Sequence, residues 1–172
     1  MCMAAFKRSS ELLNMGGTLD CVDGSPSSVE VNLPLSTLDR EVFVVTDVQL
    51  DTERLTAPVA PGFQKLSASV NKTKTGALTI NDPNCIASVN VSIETTAIGH
   101  VVQKNRNPDE SSTGVGADYI TVIATPDFVI AGNYATTAGG ASNKGVYVRL
   151  TGYRAIATSD LYAALVTEEL NQ

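Results

Sequence analysis

The residues that could carry chemistry are few and widely separated. The only histidine is His100, and a lone imidazole lacks the partners that activate a nucleophile or complete a metal site. The three cysteines, Cys2, Cys21 and Cys85, are odd in number and irregularly spaced, a pattern that frames neither a disulfide scaffold nor a zinc site. We therefore predict free thiols, no catalytic residue, no metal site, no cofactor and a protein that is not an enzyme.

Three carboxylates, Asp47, Asp51 and Glu53, are separated by even numbers of positions along the chain. Alternation along a strand would put them on one face, where their oxygens would suit calcium. No EF-hand pattern accompanies them, so the favoured interpretation is a solvated strand face. The oxygen-rich segment 81–84 is likewise interpreted as a turn, because Asn and Asp side chains there bond their own backbone.

Basic residues are sparse. Lys7 and Arg8, together with Arg40 and Arg54, could form a small patch that touches nucleic acid, but few phosphates would be neutralised by it. The net charge of -6 repels phosphate backbones. We expect nucleic acid to be bound weakly if at all, and we favour an ordinary terminal charge pair.

Length and composition indicate one domain. A chain of 172 residues suits a single core. With 43% hydrophobic and only 17% charged residues, the surface is low in charge and easily desolvated, which suits contact with other copies of the chain. No stretch approaches the roughly 20 apolar residues of a membrane helix, and residues 1–17 lack the apolar region of a cleaved signal. We expect a cytoplasmic location and no membrane span.

Alternation of apolar and polar residues begins at Val29 and predicts strands. In the run from Val42 to Leu50, the even-numbered residues are predicted to share one face of the strand. Phe43 and Val45 fall on the opposite face, which predicts a strand covered on both sides for part of its length. Gly152 predicts a bulge. The segment 77–80 is predicted to form a hairpin with 87–93. The predicted strand runs are 29–35, 42–50, 66–70, 77–80, 87–93, 119–124, 128–131 and 146–156.

The remaining segments are assigned to an arm, two loops and a helix. Residues 1–27 end in turn formers and are predicted to be an N-terminal arm, with 28–172 forming the β-sandwich domain. Long loops are predicted at 99–118 and 132–144. A C-terminal helix is predicted over 159–171, capped by Ser159 and in need of packing to persist. Its apolar stripe consists of Leu161, Tyr162, Leu165, Val166 and Leu170.

Eight strand runs with turn signals between them predict an all-β fold, an eight-stranded sandwich of two sheets with a short C-terminal helix. A jelly roll, which joins eight strands in two Greek keys, is the expected wiring. An immunoglobulin-like sandwich is the main rival. It is weakened by the absence of Trp and of the Cys, Trp, Cys spacing.

This layout resembles the single jelly-roll coat proteins of small icosahedral viruses. The resemblance rests on the strand runs from 29 to 156, the arm at 1–27, the long loops and the low-charge surface, and it involves no specific motif. It implies self-assembly into a shell around a genome, with identical copies and other virion proteins as partners, in a virion assembled in the host cytoplasm. The arm departs from the strongly basic arm of many members, which leaves open a minor capsid, decoration or filament role.

The sequence thus predicts a structural, self-assembling viral or phage capsid (coat) protein. The loops 99–118 and 132–144 and the helix at 159–172 are the expected contact regions. One alternative is a β-sandwich module that binds a ligand or carbohydrate, against which stands the scarcity of aromatic residues, five Tyr, four Phe and no Trp. The other is a jelly-roll enzyme of the cupin sort, which usually needs several histidines.

Overall fold

The computed structural model describes residues 6–59, 61–107, 119–137 and 143–171, which form ten strands and one helix. In chain order these elements are β1 (Phe6–Arg8), β2 (Leu13–Cys21), β3 (Pro26–Asn32), β4 (Glu41–Thr52), β5 (Gly62–Asn71), β6 (Cys85–Thr96), β7 (Gly99–Asn107), β8 (Thr121–Ile123), β9 (Asp127–Thr136), β10 (Lys144–Ala157) and α1 (Ser159–Asn171).

The strands form two five-stranded sheets. In the first sheet the order is β1-β10-β4-β8, and β2 pairs with the same edge of β10 as β1 does, farther along the strand. In the second sheet the order is β3-β9-β5-β6-β7. Every strand pairing is antiparallel. The prediction of an all-β, two-sheet sandwich with a short C-terminal helix is confirmed, but the described residues form ten strands and not the eight predicted.

Eight of the strands pair in a nested order. β2 pairs with β10, β3 with β9, β4 with β8 and β5 with β6. When β1 and β7 are set aside, the first strand pairs with the last, the second with the next to last, and so on inward. A long antiparallel ribbon folded over on itself produces this order, and it places the successive strands β2 and β3 in different sheets.

A single main core lies between the sheets. Phe43 and Leu150 enter it from the first sheet, and Leu66, Ile130 and Tyr134 enter it from the second, all fully buried. Burial of each such apolar side chain stabilises the fold by about 1.5–3 kcal/mol. Strand positions in this core recur at every second residue, so the alternation in the sequence reports which face each side chain takes.

The first half of β4 is buried on both of its faces, as predicted. Phe43 and Val45 point into the main core, whereas Val42 and Val44 point to the outer face of the first sheet. There α1 packs across the sheet and forms a second, smaller core. The helical residues that cover this face are Leu161, Tyr162, Leu165 and Val166.

A β-bulge divides β4 into two halves that face in different directions. The pairing with β10 shifts between Thr151 and Gly152, which leaves Thr46 without an opposite residue. Beyond Thr46, Val48 and Leu50 therefore turn into the main core. The predicted bulge at Gly152 is confirmed, but the expectation of one uninterrupted face from residue 42 to 50 is wrong, because the extra residue inverts the alternation.

The prediction that residues 1–27 form an arm outside the domain is wrong for most of that segment. Residues 6–8 and 13–21 are β1 and β2, which pair with β10, so the sandwich begins well before residue 28. Gly16 and Gly17 resemble a break in the sequence, yet they lie within β2. A Cβ at Gly17 would come within 2.9 Å of the Val31 and Ile130 side chains, so glycine permits the close approach of the second sheet.

Two further predictions of local structure are wrong. The segment 77–80 is not a strand but part of the connection between β5 and β6, and its Leu78 N–H donates to the Ser69 hydroxyl. The hairpin partner of β6 is therefore β5. The predicted loop 99–118 begins with β7, and the predicted loop 132–144 begins with the end of β9. Residues 108–118 and 138–142 lie outside the described residues.

The predicted helix over 159–171 is confirmed as α1. It packs on the first sheet, as a helix with acidic residues at its C-terminal end should need to do. One position in the predicted stripe is wrong, because Leu170 is 69% exposed whereas Glu169 beside it is 1% exposed.

Candidate functional site

Along one side of the sandwich, the described strands do not close the gap between the two sheets. β8 covers only residues Phe43 to Val45 of β4, so the second half of β4 borders the open side. β7 is the last strand of the second sheet on the same side. Between them runs a groove of about 720 Å³. Its apolar lining consists of Leu55, Ala57, Val91, Ile93 and Val102.

Three exposed apolar side chains lie in β7 and the turn before it. Val102 lines the groove and is 64% exposed, Val101 on the opposite face of the strand is half exposed, and Ile98 in the turn is 99% exposed. The cation Lys104 reaches across the groove mouth, with its Nζ 3.9 Å from an Asp51 carboxylate oxygen. An edge strand of nine residues that has no proline and exposes two valines is a surface on which another strand can add, although Lys104 and Arg106 lie in it as well. We call the outer edge of β7 and the groove beside it the open edge.

His100 lies in β7 and lines this groove, so it is a strand residue rather than the loop residue predicted. Its Nδ1 is 3.0 Å from the Thr95 hydroxyl oxygen, and that hydroxyl donates to the carbonyl of Pro58, also at 3.0 Å. The imidazole thus joins β7 to the end of β6.

The three carboxylates considered for calcium do not form a site. Glu53 accepts hydrogen bonds from Lys144 Nζ at 3.2 Å and from the Gly145 N–H at 3.0 Å. The Gly145 bond and the Lys144 bond together lower the pKa of Glu53. Asp47 and Asp51 remain on the exposed outer face of the first sheet. Within the described ranges, no group of three His, Cys, Asp or Glu residues could hold a metal ion.

The oxygen-rich segment 81–84 is a turn, as predicted. The Asn84 N–H donates to the Asp82 carboxylate at 2.9 Å. The hydrogen bond from Lys74, followed by that from Asn84, lowers the pKa of Asp82. The buried Asn84 side chain accepts from the backbone N–H groups of Thr73 and Lys74. These bonds organise the connection between β5 and β6.

Three of the four basic residues lie near one end of β10, and Arg54 lies near the other. Lys7 pairs with Ile156, and Arg40 lies beside the end of β10 and donates to the Ser159 hydroxyl. Arg8 lies over the Tyr153 ring. Arg54 lies next to the opposite end of β10 and lines the groove. Since β10 has 14 residues, these ends are about 45 Å apart at ~3.3 Å per residue.

The described cysteines are free thiols, as predicted, and burial keeps them unreactive. Burial raises the pKa of Cys21 and of Cys85 to about 11 each. A protonated, enclosed thiol is a poor nucleophile and a poor metal ligand. Cys2 lies outside the described residues.

Glu169 is a buried charge that the sequence analysis missed. Its carboxylate accepts hydrogen bonds from the backbone N–H groups of Ala124 and Thr125 at 3.0–3.1 Å. The buried Lys72 ammonium lies 3.9 Å from the carboxylate, and the Thr73 hydroxyl donates to the Glu169 carbonyl. Lys72 follows β5 of the second sheet, whereas Ala124 follows β8 of the first. Glu169 therefore fastens the end of α1 to both sheets.

Glu169 should make stability depend on pH. Removal of the carboxylate from water raises the pKa of Glu169 above its usual 4.5, although the Ala124 N–H, Lys72 and Thr125 act in the opposite direction. The folded protein then binds this proton more tightly than the unfolded chain does. Protonation of Glu169 therefore contributes fully to the free energy of unfolding below pH 4.5, the usual pKa of the group. This contribution is lost as the pH rises through the higher pKa of Glu169 in the folded protein.

We predict that wild type loses stability relative to Glu169→Gln as the pH increases. The measurement is urea unfolding of both proteins from about pH 4 to pH 8, where the glutamine variant lacks this titration. A difference in unfolding free energy that is constant over this range, or that grows in favour of wild type, would contradict the raised pKa.

No known protein family matches this sequence, and neither does any curated protein. Among the described residues, no helix is both long enough and apolar enough to cross a membrane.

Proposed function

We propose that this protein is a structural, self-assembling protein, the capsid (coat) protein of a virus or phage, built on a jelly roll. The nested pairing of eight strands supports the jelly-roll assignment, because a ribbon doubled over on itself and divided between two sheets is the wiring of that fold. In this proposal the partners are identical copies and other virion proteins, and the location is the virion, assembled in the host cytoplasm.

The observation that carries self-assembly is the open edge. β7 has nine residues, borders an apolar groove that no other described strand covers and exposes Val101 and Val102. An isolated protein normally protects such an edge with charges, with proline or with a covering segment. Contact with a second copy would pair the edge and remove the apolar surface from water, at about 25 cal/mol per Å² less the cost of association.

The distribution of charge supports assembly through protein contacts. Because Arg40 and Arg54 lie at opposite ends of β10 and the net charge is -6, the described surface offers little to a phosphate backbone. At the open edge, the pairing of Lys104 with Asp51 reduces the mutual repulsion of identical chains. In this proposal, therefore, nucleic acid is enclosed by the shell and contributes little to holding it together.

The test compares assembly of wild type with that of the double variant Val101→Lys, Val102→Lys. We expect the variant to raise the concentration needed for assembly by at least about tenfold, since a tenfold change corresponds to about 1.4 kcal/mol and two valines lose more than this on replacement by lysine. Light scattering after size-exclusion chromatography gives the assembled fraction, and negative-stain microscopy shows whether the particles are closed shells.

The matched control is Gln103→Lys, Asn105→Lys, which adds the same charge to the same strand without removing apolar surface. Because added charge itself hinders strand addition, the control should assemble less well than wild type but better than the valine variant, and the difference between the two variants measures the contribution of the apolar surface. A wild-type protein that stays monomeric up to about 200 μM, where a contact with a micromolar Kd would be largely formed, would refute the proposal. So would equal assembly of wild type and the valine variant.

A further inference from the structure

The outer face of the first sheet has a second depression, which is separate from the groove of the open edge but meets it at Asp51, the partner of Lys104. It has a volume of about 530 Å³ and lies over β2, β10 and β4. Tyr147 and Arg149 of β10 lie at its centre. In the strand register, Tyr147 is opposite Thr18 and Asp51, and Arg149 is opposite Gly16 and Gln49. These side chains therefore form two adjacent rows on one face.

The Tyr147 ring lies along the sheet instead of standing away from it. Gly145, two residues earlier on the same face, has no side chain, and the ring occupies the space above it. A Cβ at Gly145 would be 2.7 Å from the Tyr147 hydroxyl oxygen and 3.0 Å from Cζ. The side chain is nevertheless 48% exposed. The ring therefore presents an accessible aromatic surface, and the absence of a side chain at Gly145 allows it to lie in this orientation.

Gly16 forms the floor of the depression. A Cβ at Gly16 would come within 2.8 Å of the Val148 carbonyl oxygen, so a side chain there would fill the space that the glycine leaves open. Arg149 beside it has no hydrogen-bond or ion-pair partner among the residues that the structure describes. Its guanidinium and the exposed Gln49 amide are thus available to a ligand from two sides.

We propose that this face binds a neutral carbohydrate, with one pyranose ring on Tyr147 and its hydroxyl groups bonded by Asp51, Gln49 and Arg149. The C–H face of a sugar stacks on an aromatic ring, while a carboxylate, an amide and a guanidinium can each bond neighbouring hydroxyls. Asp51 also pairs with Lys104, and its carboxylate would repel an anionic group placed beside it, which favours a neutral sugar over an anionic one. Peptide groups exposed at Gly16 add further polar contacts.

The test uses an array of neutral, hexose-containing oligosaccharides, followed by saturation-transfer NMR with the glycans that are retained. We expect Tyr147→Ala and Arg149→Ala each to weaken binding at least about tenfold, in the range typical of central contact residues. Phe63→Ala is the control, because Phe63 is a similarly exposed aromatic on the second sheet. Circular dichroism checks that every variant remains folded.

Retention of neutral glycans, lost in Tyr147→Ala and kept in Phe63→Ala, would support the site. No retained glycan, retention of anionic glycans alone, or equal binding by Tyr147→Ala and wild type would overturn it. The measurement is repeated on the Val101→Lys, Val102→Lys variant, because binding by one face of the sandwich does not require assembly. Failure of the assembly proposal therefore leaves this test intact.

Discussion

Replacing Glu169 by alanine is expected to lower the free energy of unfolding by about 3–5 kcal/mol, the usual cost of breaking a buried charge pair by removing one partner. The substitution leaves the Lys72 ammonium, itself 8% exposed, without its carboxylate. It also leaves the backbone N–H groups of Ala124 and Thr125 without an acceptor. These losses coincide with the loss of the contact that fastens the end of α1 to both sheets.

The measurement is urea unfolding followed by circular dichroism. The control is Glu30→Ala, which removes an exposed carboxylate from β3 and should change stability by less than about 0.5 kcal/mol. If Glu169→Ala proved as stable as Glu30→Ala, the buried carboxylate would not be holding the helix in place. Addition of Lys72→Met to Glu169→Ala should recover part of the loss, because the variant no longer buries an unpaired ammonium.

Gly152→Ala is expected to destabilise the fold by about 2–3 kcal/mol through overpacking at the bulge. A Cβ at Gly152 would lie 2.3 Å from the Val44 carbonyl oxygen and 2.7 Å from the Phe43 ring. Neither the carbonyl oxygen nor the ring can move away easily, because Val44 belongs to the paired backbone of β4 and Phe43 is fully buried. The strand must therefore separate from its neighbour or displace the core.

Thermal unfolding of Gly152→Ala should be compared with that of Gly76→Ala. Gly76 lies in the connection between β5 and β6, and a Cβ there would meet nothing within 4 Å. The Gly76 variant should match wild type or exceed it slightly, since alanine reduces the freedom of the unfolded chain. Equal melting temperatures for the two variants would mean that the bulge does not have the tight geometry described above.

Alternation in the sequence predicted the sandwich well because it records which side chains must leave water. The same pattern is present in β2, where Leu13, Met15, Leu19 and Cys21 point inward or pack against the core. It was overlooked because Gly16 and Gly17 resemble a break. β7 was missed for a different reason: as an edge strand beside a groove it buries little, so its polar and apolar residues do not alternate clearly.

The tertiary partners of single residues could not be predicted from the sequence. The Glu169 carboxylate accepts hydrogen bonds from residues 44 and 45 positions away in the chain. No pattern in the sequence around Glu169 indicates that it is buried. The neighbouring Leu170 was assigned to the apolar stripe on helical spacing alone. Likewise, the open edge and the depression at Tyr147 exist only because distant strands become neighbours, and one shifted register would separate their residues.

The most direct test of self-assembly through the open edge is amide hydrogen exchange measured along the chain at two protein concentrations. Between roughly 1 and 100 μM, exchange in β7 should slow at least about tenfold, because edge amides that pair with no other described strand become paired in the assembly. Exchange in β3, at the other edge of the sheet, should change less. Exchange in β7 that stays equally fast at both concentrations, in a sample that has assembled, would contradict the proposed interface.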